Sequence, residues 1–217
     1  MKIPLLATLP LICVKTFSGD FTNLTFDEPD LTGSLRPADL GNSRTPFYGL
    51  TSQILRGWTL LGNGQPLTEI TYQPGVGDTF GPATLIRRQT SSGEDFYMRL
   101  NSQPPNIVDL TLRQTGTVPV VGNSLTFLAN SPMQLIVNGD VLYTVDTAVT
   151  TLPTVDLSRY AGQNVTLDFH VLQHPNIGAT FSFDVLGFTQ IPEPSTWALF
   201  GVGALALSLA VKQRRSP

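Results

Sequence analysis

The sequence predicts an all-β protein: an antiparallel β-sandwich over residues 19–190, followed by a single C-terminal transmembrane helix. Three observations carry that expectation. Short segments that alternate apolar and polar residues recur along the body with turn residues between them, and none keeps a helical period beyond two turns. The 19 Gly and 17 Pro, beside many Thr and Asn, favour turns and strands over helices. After Thr196 the chain switches to an uncharged apolar run that ends in cations.

Setting the two ends aside leaves enough chain for one domain with a substantial core. Charged residues make up 13% and the net charge is −3, which gives no basic footprint for nucleic acid. The start, from Met1 to Val14, places one cation before an apolar stretch, the form of a secretory signal peptide over residues 1–18. Thr16-Phe17-Ser18 offers a small-x-small cleavage site before Gly19. The single Cys, Cys13, falls within that leader, and Ile12 stands where a lipoprotein signal needs a small residue. The body therefore has neither a disulfide nor thiol chemistry.

In chain order, Asn23-Leu24-Thr25-Phe26 reads as the first strand, and 30–53 as a long loop with short strand pieces. Strands follow at 58–61, 67–72, 83–88 and 95–100, each bounded by Gly, Pro, Asn or Ser. Val108, Leu110 and Leu112 alternate with Asp109, Thr111 and Arg113, which gives a strand with one buried face. Leu125 to Leu128 is another. Met133–Val137 and Val141–Val145 flank Asn138-Gly139, a strong hairpin signal, because both residues accept the positive φ of a type I′ turn. The expected register sets Leu135 opposite Leu142 and Ile136 opposite Val141. In 164–171, Leu167 and Phe169 are expected inside, with Thr166 and Asp168 exposed. Phe181, Phe183 and Val185 alternate with Ser182 and Asp184 in the last strand.

The tail has three parts: Ile191-Pro192-Glu193-Pro194, an apolar run, and Lys212-Gln213-Arg214-Arg215. A helix over 197–211 covers roughly 22 Å at 1.5 Å per residue, and Ser195 and Thr196 bring it to the low end of the spanning range. Residues 197–211 hold no charge and no Pro, so no polar stripe marks a core helix. Lys212, Arg214 and Arg215 hold the far end in the cytoplasm, which puts everything before Ile191 outside it. With Pro192-Glu193-Pro194 set directly before Ser195-Thr196-Trp197-Ala198-Leu199, and Arg214-Arg215 after the helix, residues 191–217 resemble the PEP-CTERM sorting signal of exported bacterial proteins. The resemblance implies a membrane helix at about 196–211 and processing by a membrane protease of the exosortase type.

A second stretch, Asp156-Leu157-Ser158-Arg159-Tyr160-Ala161-Gly162-Gln163-Asn164-Val165-Thr166-Leu167-Asp168-Phe169, resembles jelly-roll domains of the galactose-binding and carbohydrate-binding kind. With the Asn138-Gly139 hairpin it covers roughly 107–188. It implies a jelly-roll-like sandwich far more than it implies a ligand. Where such domains often carry paired aspartates before an aliphatic strand, this chain has Phe183-Asp184-Val185-Leu186, with one acid of the two.

Candidate chemistry is sparse. The two histidines, His170 and His174, read as a solvated pair, since no Cys or carboxylate cluster completes a ligand set. Asp27, Glu28 and Asp184 are calcium candidates if the first and last strands are neighbours, although turn-forming, solvated acids are the plainer reading. No nucleophile motif or phosphate-cradling glycine loop is present. Glu94 and Asp95 are adjacent and would face opposite sides of a strand, unlike an acid–base pair. Trp58, Tyr72 and Tyr97 are candidates for a sugar-stacking platform. The expectation is an exported envelope or matrix protein of structural or adhesive type, with no cofactor and no catalytic role. The alternative is a module that binds envelope or biofilm polysaccharide. A glycan hydrolase would require two carboxylates facing each other across a groove.

Overall fold

A computed structural model of the chain describes residues 20–33, 35–37, 46–75, 81–91, 93–101, 109–130, 132–145, 152–171 and 180–189. The leader 1–18, His174 and the tail 191–217 lie outside the described residues. The first half contains β1 (Arg36–Pro37), β2 (Phe47–Leu50), one helical turn α1 (Thr51–Ile54), β3 (Thr59–Gly62) and β4 (Gln65–Pro66). It continues with β5 (Glu69–Gln73), β6 (Ala83–Thr90) and β7 (Gly93–Asn101). The second half contains β8 (Leu110–Thr117), β9 (Ser124–Ala129), β10 (Met133–Val137) and β11 (Asp140–Val145). A short β12 (Thr154–Asp156) and a 3-10 turn (Ser158–Tyr160) lead into β13 (Asn164–Val171) and β14 (Thr180–Thr189).

Two sheets enclose one core. The eight-stranded sheet runs β1-β2-β5-β6-β7-β14-β9-β12, and the six-stranded sheet β11-β10-β13-β8-β3-β4. From β7 onward the chain mostly alternates between sheets, so strands distant in sequence become neighbours: β8 pairs with β13, and β14 with both β7 and β9. The expectation of a purely antiparallel sandwich is corrected at one place. β5 and β6 run parallel, with Thr71 beside Thr84 and Gln73 beside Ile86. Strands that run the same way need a connection that returns along the sheet, where a hairpin would have reversed the chain.

The period-two patterns become core faces. Along β13, Val165, Leu167, Phe169 and Val171 are buried, and along β8 so are Leu110, Leu112 and Gln114. Phe127, Phe169 and Phe183 meet at the centre, with centroids 4.6 Å apart for Phe169–Phe183 and 5.3 Å for Phe127–Phe169. The outward residues of β13 are less exposed than expected. Asp168 is only half-buried because both its oxygens accept from Arg113 on β8 at 2.7 Å, and Thr166 faces Thr115 at 3.1 Å.

Asn23–Phe26 is a turn rather than the expected first strand. Asn23 and Phe26 both take positive φ, 51° and 64°. The amide of Phe26 donates to the Asn23 carbonyl, and the Asn23 side chain accepts from the Glu28 amide at 2.7 Å. Asn tolerates the left-handed conformation and caps its own turn, and this local bonding outcompetes a strand. The knot drives Phe21, Leu24 and Phe26 into the core. Phe21 fits because position 116 is glycine: a Cβ there would come within 2.6 Å of the Phe21 ring.

The hairpin forms with Asn138 and Gly139 at φ 52° and 90°, the signs a type I′ turn needs. Ile136 pairs with Val141 as expected, but Leu135 pairs with Tyr143, not Leu142. A bulge at Leu142 shifts the register. Its physical reason is the Tyr143 ring, which then meets Phe127 edge-on at 6.3 Å.

Candidate functional site

The three aromatic candidates separate. Trp58 is 4% exposed; it stacks on Phe26 and donates its indole N–H to the Asn23 carbonyl at 2.9 Å. Tyr72 is 5% exposed and lies against Phe47. Both rings are spent on the core, so neither offers a face to a sugar. Core use and ligand use draw on the same residue types at the same spacing, which is why the sequence did not separate them. Tyr97 alone sits on an outward face.

That face belongs to the eight-stranded sheet. Register sets it: Leu85, Met98, Phe183 and Val185 point inward, so Ile86, Tyr97 and Asp184 point the other way. Arg88 pairs with Asp95, and its guanidinium lies 5.4 Å from the Tyr97 ring centre. The Arg99 guanidinium lies 5.9 Å from the same ring. Two cations on one phenol ring form a cation–π cluster. Glu94 points away from this group and pairs with Arg87 at 3.2 Å, so the adjacent acids do face opposite sides.

Asp184, a calcium candidate for which a solvated acid is the plainer sequence reading, is 6% exposed. Burial pushes its carboxyl up to about 7, and the negative charges of Asp95 and Asp27 push the same way. Arg88 and the amide of Val185 oppose that shift. Asp184 is therefore an acid that changes charge near neutral pH. Of the calcium candidates, Asp27 and Glu28 are exposed and Asp184 is buried, with Asp27 near enough for its charge to act on Asp184. Among the described residues, no group of three or more His, Cys, Asp and Glu side chains is placed to hold a metal ion. His170 is not simply solvated: its Nε2 lies 2.8 Å from Asp109 Oδ1.

Elsewhere the described surface carries a shallow depression of about 270 Å³ beside α1, lined by Leu50, Thr51, Leu67 and Trp58, among others. Among the described residues no helix is long and apolar enough to cross a membrane.

The comparisons with known proteins add the following. A comparison with curated proteins returns no match. Among solved structures, one described as "CBM4 structure and function" is similar at 16% identity over 78% of this chain and 99% of that one, with a TM-score of 0.34. A likeness at that score says nothing of a ligand here. Residues 190–215 match the PEP-CTERM protein-sorting motif. The three-part tail after β14 is thus a PEP-CTERM protein-sorting motif, and it marks the chain as exported and directed to the cell envelope.

Proposed function

We propose that this chain is a structural or adhesive protein of the cell envelope or extracellular matrix, held first by its C-terminal helix and then released near Pro194 by an exosortase-type protease. The observation that carries the reading is the sorting motif placed directly behind the last strand of a filled sandwich. Lys212, Arg214 and Arg215 keep the far end of the helix in the cytoplasm. Pro192 and Pro194 disfavour helix across the motif, and an extended segment is the form a protease binds as a strand. Glu193 stays hydrated and holds the motif at the membrane surface. No catalytic role is assigned, and no cofactor is required. Intact-mass measurement on protein from its native host tests the processing. An end close to Pro194 supports it, and a mature chain still ending at Pro217 overturns it.

A second reading, polysaccharide binding, is favoured by the outward Arg88–Tyr97–Arg99 group beside Asp184. Guanidinium groups bind hydroxyls and carboxylates of acidic sugars by charge-assisted hydrogen bonds. A glycan array with the soluble body 19–190 separates the two readings. Binding that Arg99→Ala and Tyr97→Ala abolish supports the polysaccharide reading. A blank array supports the structural one.

A further inference from the structure

We propose that the loop Pro119-Val120-Val121-Gly122 is a membrane-contacting tip, which rests on the lipid surface that the tail enters. This inference rests on the reading of the tail as a membrane anchor and adds a second point of contact made by the folded body.

Val120 is 72% exposed and Val121 50%, side by side on the loop that leads into β9. Isolated exposed valines are ordinary on a protein surface. Their position in the topology is what singles out this pair. Ser124, three residues on, is the register partner of Thr189, and the Thr189 hydroxyl donates to the Ser124 carbonyl at 3.4 Å. Thr189 is the last residue of β14, so the chain leaves the fold beside this loop. The apolar run begins at Trp197. Eight Cα steps of at most ~3.4 Å allow roughly 27 Å between Thr189 and that point, so the body cannot stand far from the bilayer.

The same end of the sandwich gathers other segments. The 3-10 turn is bonded to the loop's base, where the Gly162 amide donates to the Val118 carbonyl and the Leu157 amide to the Asn123 carbonyl. These bonds hold the loop in place, and Gly122 takes φ 71° to turn it. Among the described residues the charges nearby do not form a cationic patch: Asp156 is exposed, and Arg159 pairs with Asp140 at 3.6 Å. Contact is therefore apolar rather than electrostatic. Two valines bind lipid weakly by themselves. Tethered through a short linker, they meet the surface at high effective concentration, and weak contacts then suffice to orient the body. The tip would face the lipid and hold the opposite end of the sandwich outward.

The test uses the full chain reconstituted in vesicles of phosphatidylethanolamine and phosphatidylglycerol, with Cys13→Ser as background. A polarity-sensitive dye is placed at Val120→Cys, or at Gln65→Cys on β4, at the opposite end of the sandwich. Brominated acyl chains should quench the dye at position 120 strongly and leave that at 65 unquenched. Raised salt should leave the quenching at position 120 unchanged. Val121→Asp in the Val120→Cys background should abolish the quenching, while co-flotation with the vesicles persists. Equal quenching at positions 120 and 65 in a chain that floats overturns the tip and leaves the anchor standing. A chain that does not float overturns the anchor, and the tip with it.

Discussion

Phe26 lies stacked on Trp58, with ring centroids 5.0 Å apart and planes 28° from parallel. The same ring meets Phe183 of β14 edge-on at 5.9 Å. A residue near the start of the body thus joins the first half of the chain to its last strand. Phe26→Ala should cost roughly 3–5 kcal/mol, as large core truncations do. Urea unfolding of the 19–190 body measures it, and a loss below about 1 kcal/mol would contradict the packing described.

Gly116 predicts a second effect at the same seam. An added methyl would meet the Phe21 ring at 2.6 Å, closer than carbon atoms pack. Gly116→Ala should therefore destabilise by about 1–3 kcal/mol through overpacking, even though alanine suits a strand better than glycine does. In a Phe21→Ala background the same substitution should cost far less. A full additive penalty in the double variant would show that the clash is elsewhere.

Asp184 makes stability depend on pH. In the unfolded chain its carboxyl titrates near 3.8, and in the fold at about 7. Between those values the native state keeps a proton that the unfolded state has lost, so this group's contribution to stability is greatest below about pH 4 and falls as pH rises. It levels off above about pH 7. Asp184→Asn removes this slope and should exceed the wild type in stability above pH 7 by about 2–4 kcal/mol, the advantage fading toward pH 4. Denaturation midpoints of the two proteins across that range provide the check. Parallel profiles would mean that Asp184 is not the group responsible.

At the hairpin, Gly139 takes φ 90° with nothing near the position of an added Cβ. Gly139→Ala should then cost about 1–2 kcal/mol from backbone strain alone. Because no atom is displaced, the nuclear magnetic resonance shifts of Leu135 and Tyr143 should stay nearly unchanged. Large shifts across β10 and β11 would instead mean that the register depends on the turn more than on the core.

The alternating stretches from Leu110 to Val171 were legible because one apolar face and a period of two leave little choice of conformation. Leu167 and Phe169 are buried as the pattern requires. Asn23–Phe26 was not legible: its composition suits a strand, and the local bonding of Asn23 is joined by the bond from Trp58 and the space at Gly116, both far off in sequence. The register beyond Ile136 depended on Tyr143 reaching Phe127, a contact between sheets that no local pattern encodes. Tyr97 was separable from Trp58 and Tyr72 only once the inward face of each strand was known. The sorting motif was legible in full, because its information lies in contiguous residues and their position at the end of the chain.

The contact between Phe21 and Phe188, with centroids 5.6 Å apart, has a bearing on how this protein crosses a membrane. A chain that crosses N-terminus first delivers Phe21 early and Phe188 almost last. Until β14 arrives, Phe21 lacks that partner, and β7 and β9 lack the strand that lies between them. The sandwich therefore cannot close before its last strand is available, so a chain exported while it is being made stays threadable over most of its length. Its last strand acts as a zipper pull, and it stands directly before the sorting motif.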